Sequence, residues 1–210
     1  GIEITTYTRS IGPVSIDVSR FDESEIYNNP LYMPDSVAAA KAEEYLEQCL
    51  KDQNSAGGVA ECVIKGVPVG LGDPVFEKID ANLAKAIMSI GAVKGFEIGD
   101  GFSVATSTGL TNNDAFCISD NGSVSKKSNH SGGTLGGMTD GSDIVFRAAI
   151  KPTPSIAATQ STVNKDGENI NINIKGRHDP IIVPRAVVVV ESMAALVIAD
   201  ALLLNMTSKM

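Results

Sequence analysis

The sequence predicts an α+β fold, and three observations carry that expectation. Two stretches, VAAAKAEEYLEQCLKDQ and roughly Val75 to Ile90, have the composition or the apolar spacing of helices. A third, Ala186 to Met206, is a long apolar run interrupted by Glu191, Ser192 and Asp200. The runs around them are short, rich in β-branched residues and closed by turn dipeptides, Asn121-Gly122 and Asp166-Gly167. Helices set among antiparallel hairpins give an α+β domain. With 210 residues and no internal repeat, one domain over residues 1–210 is expected.

The elements follow in order. Ile2 to Ser10 mixes β-branched and aromatic residues and stops at Gly12-Pro13, as a strand does before a turn. NNPLYMPDS is a loop ending in Asp35 or Ser36, either of which can cap the first helix, which the pair Gly57-Gly58 ends. VAECVIKGV is a strand, and GLGDP leads into the second helix, with Val75, Ile79, Leu83, Ala86, Ile87 and Ile90 on one face and Gly91 as its stop. VKGFEIGDGFSVATS reads as strands and turns, and SDIVFRAAI as an apolar strand. STVNKDGENININI is a hairpin about its Asp-Gly turn. The last helix is expected from about Pro184, as a buried one, because the carboxylates in its apolar run are expensive at the centre of a bilayer.

Composition narrows the partners. A formal charge of −8 lacks the basic footprint that nucleic acid or an anionic membrane requires, so any anionic ligand has to be met locally. Cys49, Cys62 and Cys117 are odd in number and without CxxC spacing, which fits a reducing cytoplasm and suggests neither disulfides nor zinc. Two histidines are little for a triad or a metal centre, and Glu97 with Asp100 are too few carboxylates for one. The chain begins at Gly1 in a strand-like segment, so upstream sequence is expected to be missing.

Three stretches carry candidate chemistry. SNHSGGTLGGMTDG packs five glycines into a short span, and their amides either approach a phosphate closely or simply make turns. His130 within it reads as a hydrogen-bonding surface group. In KPTPS, Lys151 and Thr153 each precede a proline and are held extended, so Lys151, Thr153 and Ser155 share a side; the plainer reading is a stiff connector. In GRHDPIIVPRA, extended geometry before Pro180 puts Arg177 and Asp179 on one face and His178 on the other, as a site or as an ion pair tethering a loop.

SIGAVKGFEIGDGF, SNHSGGTLGGMTDG, FRAAIKPTPSI and GRHDPIIVPRAVVVVESMAALVIADALL, in that order, resemble chorismate synthase over most of the chain. The resemblance implies a β-α-β sandwich of helices layered with antiparallel sheets, here truncated, and a homotetramer. It implies a carbon–oxygen lyase of the shikimate pathway that eliminates phosphate from 5-enolpyruvylshikimate 3-phosphate with reduced FMN. The flavin's electrons come either from NADPH used by the enzyme itself or from flavin supplied already reduced. It assigns Gly91, Ala92, Gly136, Lys151, Pro152, Thr153, Pro154, Ser155 and Arg177 to the flavin, and Asp179 to proton acceptance beside it. Arg177 is expected to lower the pKa of Asp179. The sequence departs from the family at Gly91, often asparagine, and at Ile181, often cysteine. The family's N-terminal histidines and substrate arginines have no counterpart, and with only five arginines the fragment is expected to be inactive alone. The alternative is a non-catalytic phosphate-binding or assembly module on the same scaffold.

Overall fold

The computed structural model describes residues 1–208 apart from Asn121, Lys175 and Arg177. The elements are β1 (Glu3–Ile11), β2 (Val14–Ser15), α1 (Ser36–Lys51), β3 (Gly58–Lys65), α2 (Ile79–Met88), β4 (Val93–Ile98), the short strands β5 (Phe116–Ile118), β6 (Val124–Lys126), β7 (Thr134–Leu135) and β8 (Met138–Thr139), β9 (Ile144–Ile150), β10 (Gln160–Val163), β11 (Asn169–Ile172) and α3 (Val183–Thr207). One five-stranded sheet runs β2-β1-β3-β9-β4, and β5-β6, β7-β8 and β10-β11 are antiparallel hairpins. The α+β class expected from the sequence is the class observed. The chain forms two compact units, residues 1–6, 60–149 and 187–210 in the first, and 7–59 and 150–186 in the second.

In the first unit, α2 buries Ile79, Leu83 and Ile87, one residue per turn on a single stripe, and Phe146 of β9 stacks on Phe96 of β4 at 5.3 Å. Arg147 of β9 lies between Glu61 of β3, at 3.8 Å, and Glu97 of β4, at 3.5 Å, and donates to the Gly99 carbonyl. Three adjacent strands are thereby cross-linked by one guanidinium. Lys126 of β6 forms an ion pair with Asp140, both side chains nearly inaccessible at 4% and 6%. This pair ties the β5-β6 hairpin to the segment after β8.

Two elements differ from expectation. The second helix starts at Ile79 rather than Val75, because Asp73 N–H closes a turn on the Glu77 carbonyl and the first helical amide is satisfied from outside, as described below. Residues 101–106, in a stretch expected as strands and turns, form a 3₁₀ helix after the turn at Gly99-Asp100.

The last helix also differs. It buries only the stripe Val183, Val187, Val190, Ala194 and Ile198, while Val188, Leu196, Leu203, Leu204 and Met206 are exposed. It is long and apolar enough to cross a bilayer. Two polar contacts within the first unit bind it to protein: Glu191 accepts the Thr6 N–H at 2.9 Å, and the Asn205 amide donates to the Gly70 carbonyl at 3.0 Å.

In the second unit, Asp35 caps α1. Its carboxylate, 1% exposed, accepts the N–H groups of Val37, Ala38 and Asp17 and a pair of hydrogen bonds from Arg20 at 3.1 and 2.8 Å. The Arg20 hydrogen bond, and the backbone donors with it, hold the Asp35 pKa well below the usual carboxylate range against the opposing effect of burial. Ala38, Ala42, Leu46 and Cys49 form the buried face of the helix. The helix stops at Lys51, two residues before the Gln53 that closes the expected helical stretch. Gln53, at φ 53°, donates to Leu50, and Asn54 N–H donates to Cys49, a Schellman closure with glutamine in the left-handed position.

Candidate functional site

The glycine-rich stretch divides its residues between two tasks. Thr134 pairs with Thr139 and Leu135 with Met138, leaving Gly136-Gly137 as a two-residue turn with φ of 62° and 91°. Positive φ at both positions is the type I′ requirement that only glycine meets without strain. The Gly137 carbonyl accepts the N–H of Ile79 at 2.9 Å, so the hairpin tip caps α2, whose preceding residue Lys78 makes no side-chain cap. A Cβ at Gly137 would sit 2.4 Å from the Lys78 side chain, whereas a Cβ at Gly136 would meet nothing within 4 Å. Turn chemistry therefore accounts for Gly137, and Gly136 alone presents an open backbone face.

At the other end of α2 the same openness recurs at Gly91, where an added Cβ would again meet nothing within 4 Å. Ala92 follows at φ 70°, a left-handed conformation that costs a non-glycine residue about 1 kcal/mol. Ten helical residues separate these two places, a rise of about 15 Å. A ligand touching both has to be as long as the helix. His130 at the base of the glycine stretch is committed to Asp100, Nδ1 to carboxylate 2.6 Å, and its N–H donates to Asp114. Asp114 also accepts from Ser128 and Ser131; these hydrogen bonds overcome burial and hold its pKa well below the usual range.

The remaining candidates belong to the second unit. Lys151 is exposed and has no ion pair among the described residues, and the Thr153 hydroxyl is buried with no hydrogen-bond partner. Asp179 pairs with Arg185, Oδ2 to Nη1 2.9 Å. Arg177, expected beside it, lies outside the described residues. The imidazole of His178 donates from Nε2 to the Ile174 carbonyl at 2.9 Å. A cavity of about 180 Å³ is lined by Leu50, Asn54, Ile156, Ala157 and His178, among others.

The two stretches are joined by a turn that no sequence signal singled out. Ser55 Oγ donates to the Thr153 carbonyl at 2.7 Å, and Ala56 N–H donates to the Pro180 carbonyl at 2.7 Å. Consecutive residues thus hold the lysine-proline strip and the histidine-aspartate stretch together. Nothing in the local pattern of NSAGG points to contacts about 100 residues away.

Residues 1–203 match the family model for chorismate synthase. The chain belongs to that family. It is 77% identical over all 210 residues to the chorismate synthase of Agathobacter rectalis and 64% identical over the same span to that of Lachnoclostridium phytofermentans. It spans 57% of the length of each. A crystal structure of chorismate synthase superimposes with a TM-score of 0.79 at 32% identity, covering 98% of this chain and 58% of that one.

The positions that the chorismate synthase resemblance assigns to the flavin suit such a group in each unit. Gly91 and Gly136 have open backbone faces in the first. In the second, among the described residues, the Thr153 hydroxyl has no hydrogen-bond partner and the Lys151 ammonium no ion pair, and buried polar groups normally have partners.

Proposed function

We propose that this chain is the C-terminal part of an enzyme that converts 5-enolpyruvylshikimate 3-phosphate to chorismate by 1,4-elimination of phosphate, in the cytoplasm and as a homotetramer. The observation that carries this reading is the family match across residues 1–203. Reduced FMN, when bound, supplies electron density as the carbon–oxygen bond breaks.

The chain's own residues bind and orient. Gly91, Ala92 and Gly136 offer backbone to the cofactor without Cβ obstruction at the glycines. Lys151 meets negative charge, Thr153 supplies a hydroxyl, and Pro152 and Pro154 keep the strip extended at little entropic cost. The family resemblance assigns Arg177 to the flavin as a cation for the anionic ligands. Asp179 accepts the proton released in the elimination, and Arg185, 2.9 Å away, holds its carboxylate in place.

Five arginines are few for a substrate carrying a phosphate and two carboxylates. The remaining cationic groups are assigned to the part of the relatives' length that this chain does not span. The test mixes substrate, FMN and a chemical reductant with this chain, and separately with the longer polypeptide, and follows chorismate absorbance. Turnover by the longer polypeptide and none by this chain is expected. No turnover by either favours the alternative, a phosphate-binding or assembly module without chemistry.

A further inference from the structure

We propose that the turn Ser55–Gly57 is the positioning element of the flavin site, and that the Ser55 hydroxyl sets the register of the lysine-proline strip against the Asp179 stretch. This rests on the reading that those two stretches hold the cofactor.

The strip from Lys151 to Ser155 follows β9 outside the sheet, and with Pro152 and Pro154 it lacks two backbone donors. It cannot anchor itself by a ladder of its own N–H groups, so it is held through its carbonyls. Ser55 Oγ supplies a donor to the Thr153 carbonyl at 2.7 Å. The Thr153 hydroxyl is buried without a partner among the described residues, so the hydrogen bond fixes the backbone of a residue with a hydroxyl to offer.

The next residue reaches the other stretch, Ala56 N–H to the Pro180 carbonyl at 2.7 Å, directly after Asp179. Gly57 then passes so close that a Cβ there would lie 2.6 Å from the Ile150 carbonyl and 3.0 Å from Pro152 Cδ. Its own carbonyl accepts the Gly12 N–H at 2.8 Å, which fastens the turn to the end of β1. Three consecutive residues therefore contact both stretches, and none is among the residues assigned to the cofactor. Upstream, the Schellman closure at Gln53-Asn54 makes the turn a rigid continuation of α1.

The experiment uses the full-length polypeptide and measures FMN affinity by titration, with amide hydrogen exchange as a second readout. Ser55→Ala is expected to weaken FMN binding roughly fivefold, the equivalent of one ordinary hydrogen bond. Its melting temperature should stay near that of the wild type, and Ser55→Thr should restore the affinity. Gly57→Ala, which displaces the strip by overlap, is expected to weaken binding about tenfold or more. In Ser55→Ala the amides of Thr153 and Ser155 should exchange faster than in the wild type.

Wild-type affinity in both Ser55→Ala and Gly57→Ala overturns the inference and leaves the proposed function standing. If the wild type itself does not bind FMN, the proposed function falls and this inference with it. In a wild type that binds FMN, unchanged exchange at Thr153 and Ser155 in Ser55→Ala also overturns the inference.

Discussion

At the scale of single residues, Gly136 and Gly137 show how two neighbours of one type meet different surroundings. Both need positive φ, so alanine at either carries the left-handed penalty of about 1 kcal/mol. Only at Gly137 does the added methyl also meet the Lys78 side chain and disturb the carbonyl that caps α2. We expect Gly137→Ala to lower thermal stability more than Gly136→Ala, and Gly136→Ala to show the larger relative loss of FMN affinity in the full-length polypeptide. Equal melting temperatures for the two would contradict the capping role. Sequence reasoning found the glycine cluster but not this division, because a turn's sequence records its φ requirements and not what its carbonyl meets.

Gln53 is a second residue whose role is invisible locally. It occupies the left-handed position that ends α1, where glycine is the usual choice, and no glycine stood near enough to mark the stop. Gln53→Gly is expected to stabilise the second unit by about 0.5–1 kcal/mol, read from urea unfolding. Asp179 was legible as a candidate, yet its described partner is Arg185, six residues on and already in α3, where the backbone turns back toward it. An i, i+6 approach across a helix start is not a spacing that extended-strand alternation foresees.

At the scale of elements, the best-read parts were those whose signal is local and periodic. α1 with its Asp35 cap, β3, β9 and the β10-β11 hairpin stand close to their expected positions. The start of α2 differs because its cap comes from a hairpin more than 50 residues later, and α3, expected as a buried helix, buries only a one-sided stripe.

The Asp35 cap carries a pH signature with a definite sign. Its pKa is lowered in the folded protein, so its contribution is full above the unfolded value near 3.8 and is lost as pH falls from there toward the folded value. Asp35→Asn should destabilise by about 2 kcal/mol at neutral pH, because the carboxylate that takes two hydrogen bonds from Arg20 is lost. The gap between variant and wild type should narrow between about pH 4 and pH 2, measured by denaturant titration at each pH. A gap constant across that range would mean that the ionised form contributes nothing.

For the molecule as a whole, exposed apolar surface is the feature least consistent with a free-standing chain. Leu110, Phe76 and Phe102 are 95%, 86% and 82% exposed, and the outer face of α3 adds Leu196, Leu203, Leu204 and Met206. On β5 and β6, Phe116, Ile118 and Val124 share one exposed face, since Ile118 pairs with Val124 and Phe116 lies two residues before Ile118. Surfaces of this kind on soluble proteins mark contacts with other protein. The chain spans 57% of the length of its chorismate synthase relatives, so further chain of the same polypeptide is the simplest cover. A net charge of −8 keeps copies apart without hiding that surface from a small dye. The isolated chain is therefore expected to bind an apolar fluorescent dye in its folded state and to self-associate as salt is raised and the repulsion is screened. The full-length polypeptide should bind several-fold less dye per residue, because burial removes the sites. Equal dye binding per residue by the two would mean that the exposed faces stay bare in the longer protein, and would overturn this account of what covers them.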